Sequence, residues 1–190
     1  MMTDTRQAPP EGKSIRLGIS ACLLGQRVRY DGGHKFDPFL VNDLGRLVEW
    51  VPVCPEVEMG LPVPREPMRL TGDPAHPRLI GESGTDFTER MRAWAQDRVR
   101  QLADVGLHGF VFKSGSPSSG LLHVKVFDER GLPSQTGIGL FAREVMAHFP
   151  LMPVEQEDRL NDLSLRSNFI ERVYAYYRRY ISTPIPTTVC

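Results

Sequence analysis

Residues 109–120 read Gly-Phe-Val-Phe-Lys-Ser-Gly-Ser-Pro-Ser-Ser-Gly, and this stretch decides the fold. Its first part, Gly109 to Phe112, is a short apolar run with the length and residue types of a buried strand. Its second part packs four serines, two glycines and a proline into residues 113–120, more than a turn requires. A core strand that breaks into a polar loop is the pattern of a parallel α/β sheet, in which ligands bind beyond the carboxyl ends of the strands.

Two other segments end in the same way. Arg16 to Ala21 is a strand of small and apolar residues that runs into CLLGQRVRYDGGHK, residues 22–35. Trp50 to Val53 is a second strand, and it stops at Cys54-Pro55-Glu56. Between them, Asp37-Pro38 starts a helix carrying Phe39, Leu40, Leu44 and Leu47 at helical spacing. Residues 57–84 hold five prolines and four glycines around short strands at 68–70 and 78–80, an excursion of the kind that shapes a pocket. Thr85 or Asp86 caps the clearest helix, marked by Phe87, Met91, Trp94, Ala95, Leu102 and Val105 and ended by Gly106. A strand at 122–126, a turn at 128–131 and helices at 138–149 and 158–180 complete the chain. The alternation predicts one α/β domain over 14–181, a mostly parallel sheet flanked by helices in a Rossmann-like three-layer arrangement. Residues 1–13 and 182–190 read as a disordered lead and tail.

Composition narrows the function. Lys+Arg and Asp+Glu both number 23 in 190 residues, so no global field draws the chain to nucleic acid or membrane. No run approaches the roughly 20 apolar residues of a membrane span. The N-terminal residues lack the layout of a secretion signal, and the expected location is cytoplasmic. The cysteines are Cys22, Cys54 and Cys190, an odd and dispersed set that makes a poor disulfide framework. Taken singly, Cys22 and Cys54 read as small core residues. Their position, each at a strand end that a parallel sheet brings together, argues for a site instead.

Two thiols and a third group on converging loops suit a soft metal centre. Close C-x-x-C pairs are absent, which speaks against structural zinc, whereas an iron–sulfur cluster tolerates dispersed ligands. Glu56, two residues from Cys54, is placed to act as a general acid or base beside such a group. Taken alone it reads as a solvated carboxylate, just as Arg29, Asp31 and Lys35 read as a polar surface turn. A nucleotide-binding reading is weak, because no G-x-G-x-x-G follows the first strand.

The segments Ser20-Ala21-Cys22-Leu23-Leu24-Gly25, Val28-Arg29-Tyr30-Asp31-Gly32, Val53-Cys54-Pro55-Glu56-Val57-Glu58, Val63-Pro64-Arg65-Glu66 and Lys113 to Ser118 together resemble the bacterial thiouracil desulfidase family. The resemblance implies a cytosolic enzyme that removes sulfur from thiolated uracil, free or as 4-thiouridine in tRNA. It further implies a 4Fe-4S cluster held by three cysteines with one iron left open. Carried across, Cys22 and Cys54 are metal ligands, Glu56 and Ser116 are catalytic, and Lys113 helps hold substrate. The third ligand of the family motif is a cysteine, and this chain has Ser119 there. A serine hydroxyl is a far weaker acid and a harder donor than a thiol, so the expectation is a labile or absent cluster and impaired activity.

Two further readings stand beside this one. Ser119 also suits a cluster-free module that recognises thiolated nucleobases without turnover. The segment RVYAYYRRY, residues 172–180, interleaves arginine and tyrosine as an RNA-stacking surface would, although an amphipathic helix with a tyrosine packing face explains it as well.

Overall fold

The computed structural model describes residues 14–182; the expected lead and the tail beyond Ser182 lie outside the described residues. In chain order the elements are β1 (Arg16–Ser20), α1 (Pro38–Asn42), β2 (Glu49–Val53), α2 (Pro55–Glu58), β3 (Met68–Thr71), β4 (Arg78–Gly81), α3 (Thr88–Val105), β5 (Gly109–Phe112), β6 (Val124–Phe127), β7 (Pro133–Gly137), α4 (Leu140–His148), β8 (Val154–Gln156) and α5 (Leu163–Ser182). Short 3-10 turns occupy Ala21–Leu24, Leu44–Arg46 and Glu157–Asn161.

The main sheet has the order β2-β1-β5-β8, and every pair in it is parallel. Successive side chains of a strand point to opposite faces, and both faces here are apolar. Leu17, Ile19 and Val111 meet Leu40 of α1 and Phe169, Val173 and Tyr177 of α5 on one side. Val53, Phe110 and Phe112 meet Ala95, Val99 and Leu102 of α3 and Phe141 and Val145 of α4 on the other. The result is the expected three-layer α/β domain. Phe110, Phe112 and Phe141 are fully buried, and each such burial stabilises the fold by about 1.5–3 kcal/mol. Gly18 makes room for them: a Cβ there would fall 2.1 Å from the Phe110 ring.

Several elements differ from the sequence reading. A second four-stranded sheet, β4-β3-β6-β7, packs Leu70, Leu79, Val124 and Val126 against Met91 of α3. Only its β3–β6 pair is parallel. Its edge strand β7 reads PSQTG and carries no apolar period for sequence to detect. The three residues of β8 are too few to register a pattern. The helix expected over 38–47 is a five-residue α1 and a separate 3-10 turn. The one expected over 158–180 begins as a 3-10 turn, and α5 starts only at Leu163, after Asp162 Oδ1 has accepted hydrogen bonds from the Ser164 and Leu165 amides.

Candidate active site

The chain passes from β1 to β2 on one side and then crosses to β5 on the other, so β1 flanks the point where strand order reverses. A cavity of about 370 Å³ opens there, and Cys22, Cys54, Glu56, Lys113, Ser116 and Ser119 all line it. The sheet thus brings six residues, drawn from three distant segments, to one place.

Cys22 lies in the turn directly after β1. Its carbonyl accepts hydrogen bonds from the Gly25 and Lys35 amides, at 3.2 and 2.9 Å, and Gly25 turns the chain with a φ of 86°. Burial pushes its thiol up to about 11, against the pull of Lys113 and Arg29. Cys54 ends β2 and precedes α2. Its amide donates to Glu58 Oε1 at 3.0 Å, and Glu58 in turn pairs with Arg98 of α3 at 2.9 Å. Its sulfur lies 3.7 Å from the Val28 carbonyl and 3.5 Å from Glu56 Oε2. Burial, with the Glu56 carboxylate adding to it, pushes this thiol up to about 12. Both cysteines are neutral at pH 7, so a metal that binds them must displace a proton from each.

Glu56 is held at both oxygens. Oε2 lies 3.6 Å from Arg65 Nη2, and Oε1 accepts the Ser118 hydroxyl at 2.5 Å. Ser118 Oγ is 3.0 Å from Ser116 Oγ, which also accepts the Ser119 amide at 3.1 Å. An ionised carboxylate only accepts, so the Ser118 proton is committed to Glu56 and Ser116 must donate to Ser118. The hydrogen-bonded chain therefore runs Ser116 to Ser118 to Glu56. The start of α4 fixes its backbone: the Ser118 carbonyl accepts the Phe141 amide at 2.9 Å, and a Cβ at Gly139 would fall 2.4 Å from that carbonyl oxygen.

Lys113 enters the cavity wall from the end of β5, and its amide donates to Ser20 Oγ at 2.9 Å. Its ammonium faces the Ser114 carbonyl and hydroxyl, each at 2.9 Å, and Glu157 Oε1. Three acceptors match its three N–H donors. Glu157, directly after β8, also accepts the Ser114 amide at 2.6 Å. The residues that sequence reasoning passed over are Ser118, Arg65 and Glu157. Ser118 stands in the quoted loop and Arg65 in the motif Val63-Pro64-Arg65-Glu66, whereas Glu157 carries no local signal and only the sheet order brings it in.

Among the described residues no three His, Cys, Asp or Glu side chains are grouped to hold a metal. Ser119 is 3% exposed and is the third strand-end donor on the cavity. On α5, Tyr177 is buried and Tyr174 and Tyr176 pack against the two core clusters, which agrees with a packing face. No helix of the described residues is long and apolar enough to cross a membrane.

Fold and site together define an α/β domain with a thiol- and carboxylate-lined cavity at the carboxyl ends of a parallel sheet. Residues 17–157 match the family described as 2-thiouracil desulfurase, and the chain belongs to that family. It is similar to the solved structure of the 4Fe-4S-dependent thiouracil desulfidase TudS, with a TM-score of 0.65 and 32% identity over 81% of this chain and 98% of that one. It is also 27% identical over 156 residues to the uncharacterized protein YbbK of Bacillus subtilis, covering 76% of this chain and 97% of that protein.

Proposed function

We propose that this chain is a cytoplasmic desulfidase of thiolated uracil, free or as 4-thiouridine, whose cluster site is weakened by Ser119. The observation that carries the reading is the convergence of Cys22, Cys54, Ser119 and Glu56 on one cavity. Family membership and the likeness to a 4Fe-4S-dependent thiouracil desulfidase support it.

The donor set fits an iron–sulfur cluster at two corners and departs at the third. Cys22 and Cys54 would hold it as thiolates, and Ser119 offers a harder oxygen donor. When bound, such a cluster supplies a thiophilic Lewis acid beside the substrate sulfur. The chain's own groups do the rest. Glu56, aimed by Arg65 and Ser118, takes a proton from the water that attacks the C–S carbon. Ser116 and Ser118, hydrogen-bonded in series to Glu56, relay a proton along that chain. One water is consumed, a C–O bond forms, the C–S bond breaks, and hydrosulfide and a proton leave with no net redox change.

Ser119 favours a second reading, in which the same cavity binds thiolated nucleobases without turnover. Anaerobic iron and sulfide analysis of the chain beside its Ser119→Cys variant, with thiouracil turnover, separates the two. The variant is expected to hold about four irons and turn over substrate, with the unmutated chain lower on both counts. A Ser119→Cys protein that holds no iron and leaves thiouracil intact rules out the desulfidase reading.

A further inference from the structure

Arg29 and Tyr30, consecutive residues in the loop after β1, line the cavity and have no part in the chemistry above. Tyr30 is the one aromatic side chain among the described residues lining that cavity. It is 43% exposed, although the main chain beneath it is fixed. The Arg65 amide donates to the Tyr30 carbonyl at 2.8 Å, and the turn that contains it closes through Arg29 N–H to the Gly33 carbonyl at 3.2 Å and Gly32 N–H to the Arg29 carbonyl at 2.9 Å.

The cavity holds three cations, Arg29, Arg65 and Lys113. Lys113 faces three acceptors of the chain, and Arg65 faces the half-buried Glu56. Arg29 differs. Its carboxylate partner, Asp31 at 3.4 Å, is 47% exposed, and its guanidinium lies over the Tyr30 ring, 5.4 Å from the centroid. A thiolated pyrimidine presents a flat π-face, one sulfur and one carbonyl oxygen. Its recognition calls for an aromatic platform and a donor, and base–aromatic stacking beside an arginine is a general means of providing both.

We infer that Tyr30 and Arg29 form the base-recognition element of this site: Tyr30 stacks on the pyrimidine ring, and Arg29 donates to the carbonyl oxygen that is not exchanged. The inference rests on the desulfidase reading and names the side chains that select a planar ring.

Equilibrium dialysis of 4-thiouracil against the anaerobically purified chain tests it, with circular dichroism to show that each variant is folded. Tyr30→Ala is expected to weaken binding by roughly tenfold, the scale of one lost stack. Tyr30→Phe, which keeps the ring, is expected to rescue it, and Arg29→Gln to weaken binding roughly fivefold, as exchange of a charged donor for a neutral one does. Equal affinity in the unmutated chain and Tyr30→Ala overturns the inference and leaves the desulfidase reading in place. So does a Tyr30→Phe protein as weak as Tyr30→Ala. No uptake of 4-thiouracil by the unmutated chain overturns the inference, while the desulfidase reading stands or falls on turnover by the Ser119→Cys variant.

Discussion

At the scale of single residues, Glu56 and Lys113 illustrate opposite uses of a charge. Glu56 is aimed into the cavity, with one oxygen on Arg65 and the other on Ser118. In a Ser119→Cys background, Glu56→Gln keeps the shape and removes the base. Turnover should fall by about 10²-fold or more while iron content is unchanged; full activity in that protein would refute the assignment. Lys113 is instead tied to Glu157, and both side chains are largely buried, at 18% and 11% exposure. Glu157→Ala strands an ammonium in the wall and should cost about 3–5 kcal/mol in urea denaturation. Replacing the pair together, Lys113→Met with Glu157→Leu, should cost less than Glu157→Ala alone, because no uncompensated charge remains.

At the scale of elements, the start of α3 shows a connection that sequence gives only in outline. Thr85 or Asp86 was the expected cap, and Asp86 Oδ1 does accept the Thr88 amide at 2.9 Å, although Phe87 occupies the capping position itself. The Thr88 hydroxyl then accepts the Leu79 amide at 2.8 Å, so the cap also fastens α3 to β4. Hydrogen bonds from Thr88 and the Arg78 guanidinium hold the Asp86 carboxyl down at about 2, from an ordinary 3.8. A depressed carboxylate stabilises the fold above its unfolded value and loses that contribution as pH falls toward the folded one. Asp86→Asn should therefore cost about 0.5–1 kcal/mol at pH 7, and the gap to the unmutated chain should shrink between about pH 4 and pH 2, read from urea midpoints. Elements with a clear period were legible in this way: β1, β2, β5 and α3 each carry an apolar pattern that one local rule reads. Pro133–Gly137 was not, because its pairing with β6 depends on a partner strand and not on its own residues. In the site, Cys22, Cys54 and the serine loop 114–119 could be grouped because strand ends converge in any parallel sheet, and the family resemblance alone singles out Ser119 within that loop. Arg65 stood in a quoted motif without an assigned role, and Glu157 could not be placed, since it follows a three-residue strand.

At the scale of the molecule, acid should loosen the sheet before it reaches Asp86. His108 is 5% exposed, and its Nδ1 accepts the Arg16 amide at 3.0 Å across the start of β1. Burial holds its pKa below the ordinary 6.5. The unfolded chain thus takes up the proton first. The stability His108 contributes is fully present above about pH 6.5 and is lost as pH falls through the lowered folded value. Urea midpoints should drop from pH 7 to pH 5, and His108→Gln should flatten that slope. An unchanged slope would show that another group governs it.

The ties between strand ends have a further consequence. Ser118 to Glu56 links the ends of β5 and β2, and Lys113 to Glu157 links those of β5 and β8, with the polypeptide's own side chains. Two pairs of side chains thus brace the cavity wall across three strand ends. The side chain of residue 119 belongs to neither tie, so exchanging its hydroxyl for a thiol leaves both fastenings in place.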